Sequence, residues 1–300
     1  MRGIIAINSE SEPKLVRSEI ISCSRRTDIP AFLMDWVVKK MNAGFVDVVN
    51  PFNRKQISRV SLLPQDVKAW VWWSKNFKEW IQIYNSNKPL FNAYKAHSFQ
   101  FTINSPSELE QGIEVSLEER FKQAKWLINR FGILALNFRF DPIIFYKLKG
   151  SDEIKNNLDK FEYIMKNLSE FGVKELIFSF ATLYKKVQIR MDFRGYIPIE
   201  LTIDEKKKVL NKLVNICNQN GIQIKACCQP DLLSVKGVSQ AHCIDANKIE
   251  TLVGEHLKKV KDTGQRKYCG CHKSKDIGGY TGIFRCKHNC TYCYANPAKR

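Results

Sequence analysis

The sequence predicts an α/β fold, namely a full or partial TIM-like barrel of parallel strands followed by a cysteine-rich tail. Short β-branched or aromatic runs alternate with longer segments of helical period, and a glycine precedes several of the strands, at Gly44, Gly132, Gly172 and Gly221. Repeated strand, helix and strand order implies parallel strands joined by right-handed crossovers. Six or seven such units favour a barrel, and an open doubly wound sheet is the second interpretation.

The predicted elements follow from these patterns. Strands are predicted at residues 19–23, 45–49, 69–73, 98–103, 134–140, 175–180 and 222–227. Helices are predicted at residues 31–42, 117–131, 151–171 and 203–220. The last helix carries Val209, Leu213, Ile216 and Cys217 on one face, as expected of a helix that packs against a sheet.

The composition and the periodicity of the sequence change at Cys227. This change divides the chain into a barrel-like domain, residues 1–226, and a cysteine-rich tail, residues 227–300. The tail holds eight of the ten cysteines, a glycine-rich stretch at residues 278–282 and little periodicity. Irregular chain of this kind gains much of its order from metal bonds. We therefore expect a cluster-binding tail that packs on the carboxyl ends of the strands.

Composition limits the cellular setting and the partners. The sequence has no signal-peptide pattern and no apolar stretch near the roughly 20 residues of a membrane span, so we expect a cytoplasmic protein with no membrane contact. In that reducing compartment, clustered cysteines indicate metal or redox chemistry more than disulfides. The net charge of +18 attracts anions, and nucleic acid is one candidate partner. The lysines, however, are scattered along helices rather than gathered in one stripe.

Polar side chains follow the predicted strands, where α/β proteins place their functional groups. Arg25, Arg26 and Asp28 follow the first strand, and Arg139 and Asp141 end the fifth. Such charges are costly to bury unless they pair or bind an anion. They are candidate catalytic residues, with the arginines anchoring an anionic substrate and the aspartates orienting them. The alternative is a set of salt bridges that stabilises the rim of the barrel.

The strongest chemical signal is a run of three cysteines, Cys286, Cys290 and Cys293, called here the terminal set. Three thiolates at these spacings can hold three irons of a four-iron, four-sulfur cluster and leave the fourth iron without a protein ligand. An open iron indicates chemistry rather than a structural role. Zinc is the structural alternative, and His288, inside the run, is more easily incidental than a ligand.

A second group of tail cysteines is predicted to bind an auxiliary cluster. This second set is Cys228, Cys243, Cys269 and Cys271. Cys227 is left out because, as the last residue of its strand, it is expected to face the core, as are Cys23 and Cys217. The long gaps between these ligands make zinc a strong alternative for the second set.

Several motifs resemble a family of functionally uncharacterised proteins whose C-terminal cysteines are similar to the cluster loop of radical S-adenosylmethionine enzymes. The motifs are SCSRRTDIP (22–30), NPFN (50–53), RFDP (139–142), CID (243–245), CGC (269–271), DIG (276–278) and CTYCYAN (290–296). The match runs from about Ile21 to Asn296. The end of the last motif also shows a local similarity to the cluster loop of spore photoproduct lyase.

The resemblance implies that the terminal set holds the open cluster, that S-adenosylmethionine is the cofactor and that Tyr292 lies against its adenine. It further implies an enzyme that makes a 5′-deoxyadenosyl radical, which abstracts hydrogen from a substrate, with flavodoxin or ferredoxin as electron donor. The chain departs from that superfamily because its cysteine loop follows the predicted strands instead of the first strand. A permuted barrel, or a tail folded back over the strand ends, restores the geometry.

Two other function classes stay open. One is a non-catalytic iron–sulfur or zinc protein that binds nucleic acid through its positive charge. The other is a hydrolase or lyase that works from the Arg and Asp rim, with structural metal sites. The substrate itself cannot be read from the residues.

Overall fold

The computed structural model describes residues 13–51, 53–295 and 297. Residues 1–12 of the predicted barrel domain, Phe52 of the NPFN motif, Asn296 and residues 298–300 lie outside the described residues. The described strands are β1 (Lys14–Val16), β2 (Ile20–Cys23), β3 (Phe45–Val49), β4 (Ile57–Ser61), β5 (Ala69–Ser74), β6 (Ala96–Thr102), β7 (Leu136–Ile143), β8 (Phe145–Leu148), β9 (Lys155–Asn156), β10 (Glu175–Phe180), β11 (Tyr196–Ile199), β12 (Gln223–Ala226), β13 (Val238–Gln240) and β14 (Lys275–Asp276).

The helices lie between these strands. They are α1 (Ile29–Phe32), α2 (Met34–Ala43), α3 (Lys78–Ser86), α4 (Lys88–Asn92), α5 (Leu117–Phe131), α6 (Phe161–Glu170), α7 (Lys185–Phe193), α8 (Ile203–Gln219) and α9 (Ala246–Val253). None of the helices in the described part of the chain is both long enough and apolar enough to span a bilayer.

A sheet of eight strands dominates the fold, in the order β13-β12-β10-β7-β6-β5-β2-β14. Every neighbouring pair in it is parallel. From β2 to β13 the spatial order follows the chain order, whereas a doubly wound sheet reverses direction at its middle. The predicted α/β class and parallel sheet are confirmed. The edge strands β13 and β14 stand at opposite ends of this order, and closure into a barrel stays a prediction.

The two faces of the large sheet bury different partners. On β7, Phe138 and Phe140 point into the main apolar core, and alternation along the strand turns Arg139 and Asp141 to the opposite face. That opposite face, with Ile20, Ala69, Val71, Ala96 and Ile177, packs against tail residues between Ala241 and Cys271. This part of the tail therefore covers one face of the sheet.

One predicted strand belongs to a different sheet. Residues 45–49 form β3 with the predicted bounds, but β3 pairs antiparallel with β4 in a three-stranded sheet with β1. The connection at residues 50–56 is too short for a crossover, so the pairing must be antiparallel. The NPFN motif thus lies in this connection and not at the rim of the large sheet.

Helix predictions were right where caps and period agreed. Residues 117–131 form α5 with the predicted bounds, and Gly132 beyond it has a φ of 81°. The predicted helix at 31–42 is divided into α1 and α2 at Leu33. The predicted helix at 151–171 was wrong in its first half, because Lys155 and Asn156 pair with β8 and only Phe161–Glu170 is helical.

Candidate functional site

The terminal set lies close to Asp28, which follows β2, and to Lys75, which follows β5. Burial, followed by the charge of Asp28, raises the pKa of Cys286 to about 12, and Cys293 adds to that shift. Burial and the charge of Glu110 likewise raise the pKa of Cys290, again with contributions from the other two thiols. Cys290 is therefore close to both other thiols, which places the three cysteines in one group.

Two arginines from α7 and its C-terminus hold the backbone of the terminal run. Arg190 Nη1 donates to the carbonyl oxygens of Cys293 at 2.5 Å and Thr291 at 3.3 Å, and its Nη2 donates to Ala295 O at 3.3 Å. Arg194 Nη1 donates to Asn289 O at 2.9 Å and Thr291 Oγ1 at 3.0 Å. These bonds fix the loop that carries the last two cysteines.

His288 ties the terminal run to the loop after β2. Its Nε2 lies 2.8 Å from Asp28 Oδ2, and its Nδ1 lies 3.3 Å from Gly112 O. Since both ring nitrogens have partners within the chain, His288 is not free to complete the terminal set as a fourth ligand. Asp28 was expected to orient the arginines beside it, but it accepts instead from His288 and from the amides of Ala31 and Lys75.

A buried polar network surrounds Tyr292. Its hydroxyl donates to Glu110 Oε1, which also accepts from Lys75 Nζ at 2.9 Å and from Asn104 Nδ2 at 2.8 Å. Burial alone would lower the pKa of Lys75, but the charge of Glu110 and that of Cys290 raise it. Lys75 follows β5 and Asn104 follows β6, so the network lies at the strand ends next to Cys290. The contact of Tyr292 with an adenine stays a prediction.

A second group of thiols lies on the sheet face that the tail covers. Its members are the four cysteines of the second set and Cys227, called here the five-cysteine cluster. Cys227 Sγ lies 3.5 Å from Cys243 Sγ. Hydrogen bonds from the thiols of Cys227 and Cys269 lower the pKa of Cys228. Ile244 N donates to Cys271 Sγ at 3.4 Å. The expectation that Cys227 faces the main core was wrong, whereas Cys23 and Cys217 do lie there.

The predicted arginines contact this cluster and the tail. Arg139 Nη1 donates to Cys243 Sγ at 2.8 Å, and Arg139 Nη2 pairs with Asp141 Oδ2 at 2.5 Å. Arg25 lies 3.8 Å from Asp262 and stacks 5.1 Å above the ring of Trp73, and its Nη2 is buried without a hydrogen-bond partner among the described residues. Arg26 Nη1 donates to Gly278 O at 2.9 Å. Roles for these residues in substrate binding stay predictions.

Two surface cavities open beside the five-cysteine cluster. One, of about 170 Å³, is lined by Cys228, Lys261 and Lys267. The other, of about 320 Å³, is lined by Cys269, His242 and Lys259. Within residues 13–51, 53–295 and 297, no three or more His, Cys, Asp or Glu side chains are grouped closely enough to bind one metal ion. Metal binding by either set of cysteines therefore stays a prediction.

Both cysteine groups lie in a region of the chain that matches one protein family. A comparison with known protein families matches residues 20–295 to the family described as Domain of unknown function (DUF1848). The chain belongs to this family. A search of curated proteins found no match. The DUF1848 match spans the whole large sheet and all ten cysteines, so both groups of thiols lie within the family domain.

Sequence reasoning missed several residues that shape the site of this DUF1848 chain. Glu110 lies in a short turn of 3-10 helix, and Arg190 and Arg194 lie on and next to a helix without a motif, so no local pattern marks them. A signal did exist for Cys227. Ile224 and Ala226 of β12 face the main core, and alternation turns the next residue, Cys227, to the other face.

Proposed function

We propose that this chain is a radical S-adenosylmethionine-type iron–sulfur enzyme that acts on an anionic substrate. The observation that carries the proposal is the position of the terminal set, whose three cysteines lie together beside residues that follow β2, β5 and β6. This is the edge where parallel α/β proteins bind ligands. In this proposal the large sheet is a full or partial barrel and the terminal set lies at its mouth.

The donor set fits an incompletely ligated cluster. The ligands are three thiolates, which suit iron in four-iron, four-sulfur clusters. The other seven cysteines lie in the main core or in the five-cysteine cluster, and His288 is engaged with Asp28 and Gly112. A cluster on the terminal set would therefore have three protein ligands from cysteine and keep one iron open.

In the proposed enzyme, residues around the terminal set hold its loop and favour the thiolate form of Cys290. Arg190 and Arg194 hold the loop, and Lys75 brings a positive charge close to Cys290, which favours its thiolate form. When bound and reduced, the cluster and S-adenosylmethionine supply a 5′-deoxyadenosyl radical, which abstracts hydrogen from the substrate. The protein contributes binding, orientation and exclusion of water. Reduced flavodoxin or ferredoxin is the proposed electron donor.

The test is anaerobic purification followed by iron and sulfide analysis and a single-turnover assay with dithionite. We expect brown protein that releases 5′-deoxyadenosine from S-adenosylmethionine. Cys286→Ala should abolish this product, while Cys217→Ala, which changes a buried cysteine of the main core, should retain it. A colourless zinc protein, or wild-type protein that carries iron but yields no 5′-deoxyadenosine, would contradict the proposal.

A further inference from the structure

We propose that the five-cysteine cluster is a second metal–thiolate centre, with Cys227 among its ligands, and that Arg25 and Arg139 compensate its negative charge. The centre takes an iron–sulfur cluster, whose thiolate ligands bind separate irons, since no three such side chains among the described residues are grouped closely enough to bind one ion. It does not depend on radical chemistry at the terminal set. The assignment adds Cys227 to the predicted ligands and gives two candidate catalytic arginines a different task.

The five cysteines converge from distant parts of the chain. The five cysteines come from three separate segments, one after β12, one after β13 and one in the tail beyond α9. Thiols that serve only as small apolar side chains have no need to face one another. Here Cys227 and Cys243 are 3.5 Å apart, and Cys228 interacts with both Cys227 and Cys269.

One cysteine of the cluster has an unusual backbone conformation. Cys228 has a φ of 55°, in the left-handed region that non-glycine residues rarely adopt. Among the described residues, only one other non-glycine residue has a positive φ, namely Asn289 inside the terminal run. Such conformations are energetically unfavourable and concentrate at functional sites. One of the two residues with this strained conformation is thus a cysteine of the cluster, and its thiol interacts with those of Cys227 and Cys269.

Two buried arginines bring positive charge to the five-cysteine cluster. Arg139 is 5% exposed and donates to a cysteine sulfur as well as to Asp141. Arg25 and Arg139 lie over the ring of Trp73, 5.1 and 5.4 Å from its centre. Buried guanidinium groups are costly unless anions face them. A thiolate centre supplies that negative charge, and the orphaned Nη2 of Arg25 is a donor that can serve it.

The cluster also has a route for metal entry. The cavity of about 170 Å³ is lined by Cys228, and the amide of Ile244 donates to Cys271 Sγ. Amide and guanidinium hydrogen bonds to ligand sulfurs tune the affinity and the reduction potential of metal–thiolate centres. By this reasoning Arg139 is a positioning residue for the centre rather than a substrate anchor.

The test separates the two groups of cysteines by analysing iron, sulfide and zinc in anaerobically purified variants. A triple variant, Cys286→Ala with Cys290→Ala and Cys293→Ala, should keep the metal of the five-cysteine cluster. Adding Cys243→Ala to it should remove that metal, and adding Cys217→Ala should not. A metal-free triple variant, or unchanged metal after Cys243→Ala, would overturn the proposal. Far-ultraviolet circular dichroism confirms that each variant is folded, and Cys227→Ala replaces Cys243→Ala if the latter is not.

The same variants also identify the metal and distinguish this proposal from the proposed radical enzyme. Iron with sulfide in the triple variant supports the second centre, whereas zinc without sulfide would overturn it. If the triple variant holds as much metal as the wild type, the terminal set binds none and only the proposed function fails.

Arg139→Gln tests the charge compensation. It should leave the metal bound to the triple variant but lower the reduction potential of an iron–sulfur centre, because a positive charge and a sulfur hydrogen bond are lost. Arg139→Lys should restore part of the effect, since it keeps the charge. An unchanged potential in Arg139→Gln would remove the arginine from the proposal.

Discussion

His288 Nε2 lies 2.8 Å from Asp28 Oδ2, although the two residues are 260 positions apart in the chain. The carboxylate also accepts from the amides of Ala31 at 3.1 Å and Lys75 at 2.9 Å. One buried side chain therefore joins the start of α1, the end of β5 and the terminal run. Asp28 is thereby a structural link of the site, whatever the site binds.

Asp28→Ala should lower the free energy of unfolding by roughly 2 to 4 kcal/mol. It removes the cap of α1 and leaves the Lys75 amide and His288 without their buried acceptor. Urea denaturation measures the change. Asp35→Ala is the matched control, because Asp35 is an exposed acidic residue in the first turn of α2, where a change within about 0.5 kcal/mol is expected. Equal effects of the two substitutions would contradict the role of Asp28.

The large sheet could be predicted from the sequence because its strands are apolar runs with clear ends. Period and composition do not specify the partner of a strand, which is why residues 45–49 were placed in the wrong sheet. The edge strands β13 and β14 are three and two residues long, too short for any periodic pattern. Their pairing depends on the tail, whose course follows from contacts distant in sequence.

As with the sheet, the sequence predicted the candidate site only in part. Arg25, Arg26 and Asp28 follow β2 as predicted, whereas Arg139 and Asp141 lie inside β7 and not after it. What they contact was not predictable. Arg139 was read as an anion anchor, yet its neighbours are Asp141, two residues away, and Cys243, which lies 104 positions further on. Only the folded tail brings that sulfur to β7.

The Lys75–Glu110 pair should make stability depend on pH in the acid range. Burial alone would raise the pKa of Glu110, but Lys75, Tyr292 and Asn104 lower it below its ordinary value of 4.5. A lowered folded-state pKa contributes stability that is fully present above the unfolded value and is lost as pH falls through the folded value. The free energy of unfolding should therefore fall on acidification below about pH 4.5.

Glu110→Gln isolates that contribution. At pH 7 it should cost about 3 to 5 kcal/mol, because it leaves the Lys75 ammonium buried without its counter-ion. It should also flatten the acid dependence. Asp47→Asn is the control, since Asp47 pairs with Arg59 on the surface and such pairs contribute about 0 to 1 kcal/mol. Urea denaturation from pH 7 to pH 3 provides the comparison, and an undiminished acid slope in Glu110→Gln would count against the assignment.

Gly112 should be indispensable for the docking of the terminal run, because no side chain fits at its position. A Cβ atom there would lie 2.3 Å from Lys287 O and 2.6 Å from His288 O, and backbone atoms cannot move aside as a flexible side chain can. The Gly112 amide also donates to His288 O at 2.9 Å. Gly112→Ala should therefore displace the run that carries Cys286 and Cys290 and cost about 1 to 3 kcal/mol.

The informative readout is metal analysis alongside urea denaturation. Gly112→Ala should lose the metal of the terminal set and keep that of the five-cysteine cluster, because the atoms nearest to the added Cβ belong to Lys287 and His288 of the terminal run. Gly264→Ala is the matched control, since its Cβ would approach Asp262 Oδ1 at 3.3 Å, a side-chain atom that can yield. If Gly112→Ala is as stable as the wild type and keeps all its metal, the close packing of the two segments does not hold the terminal set in place.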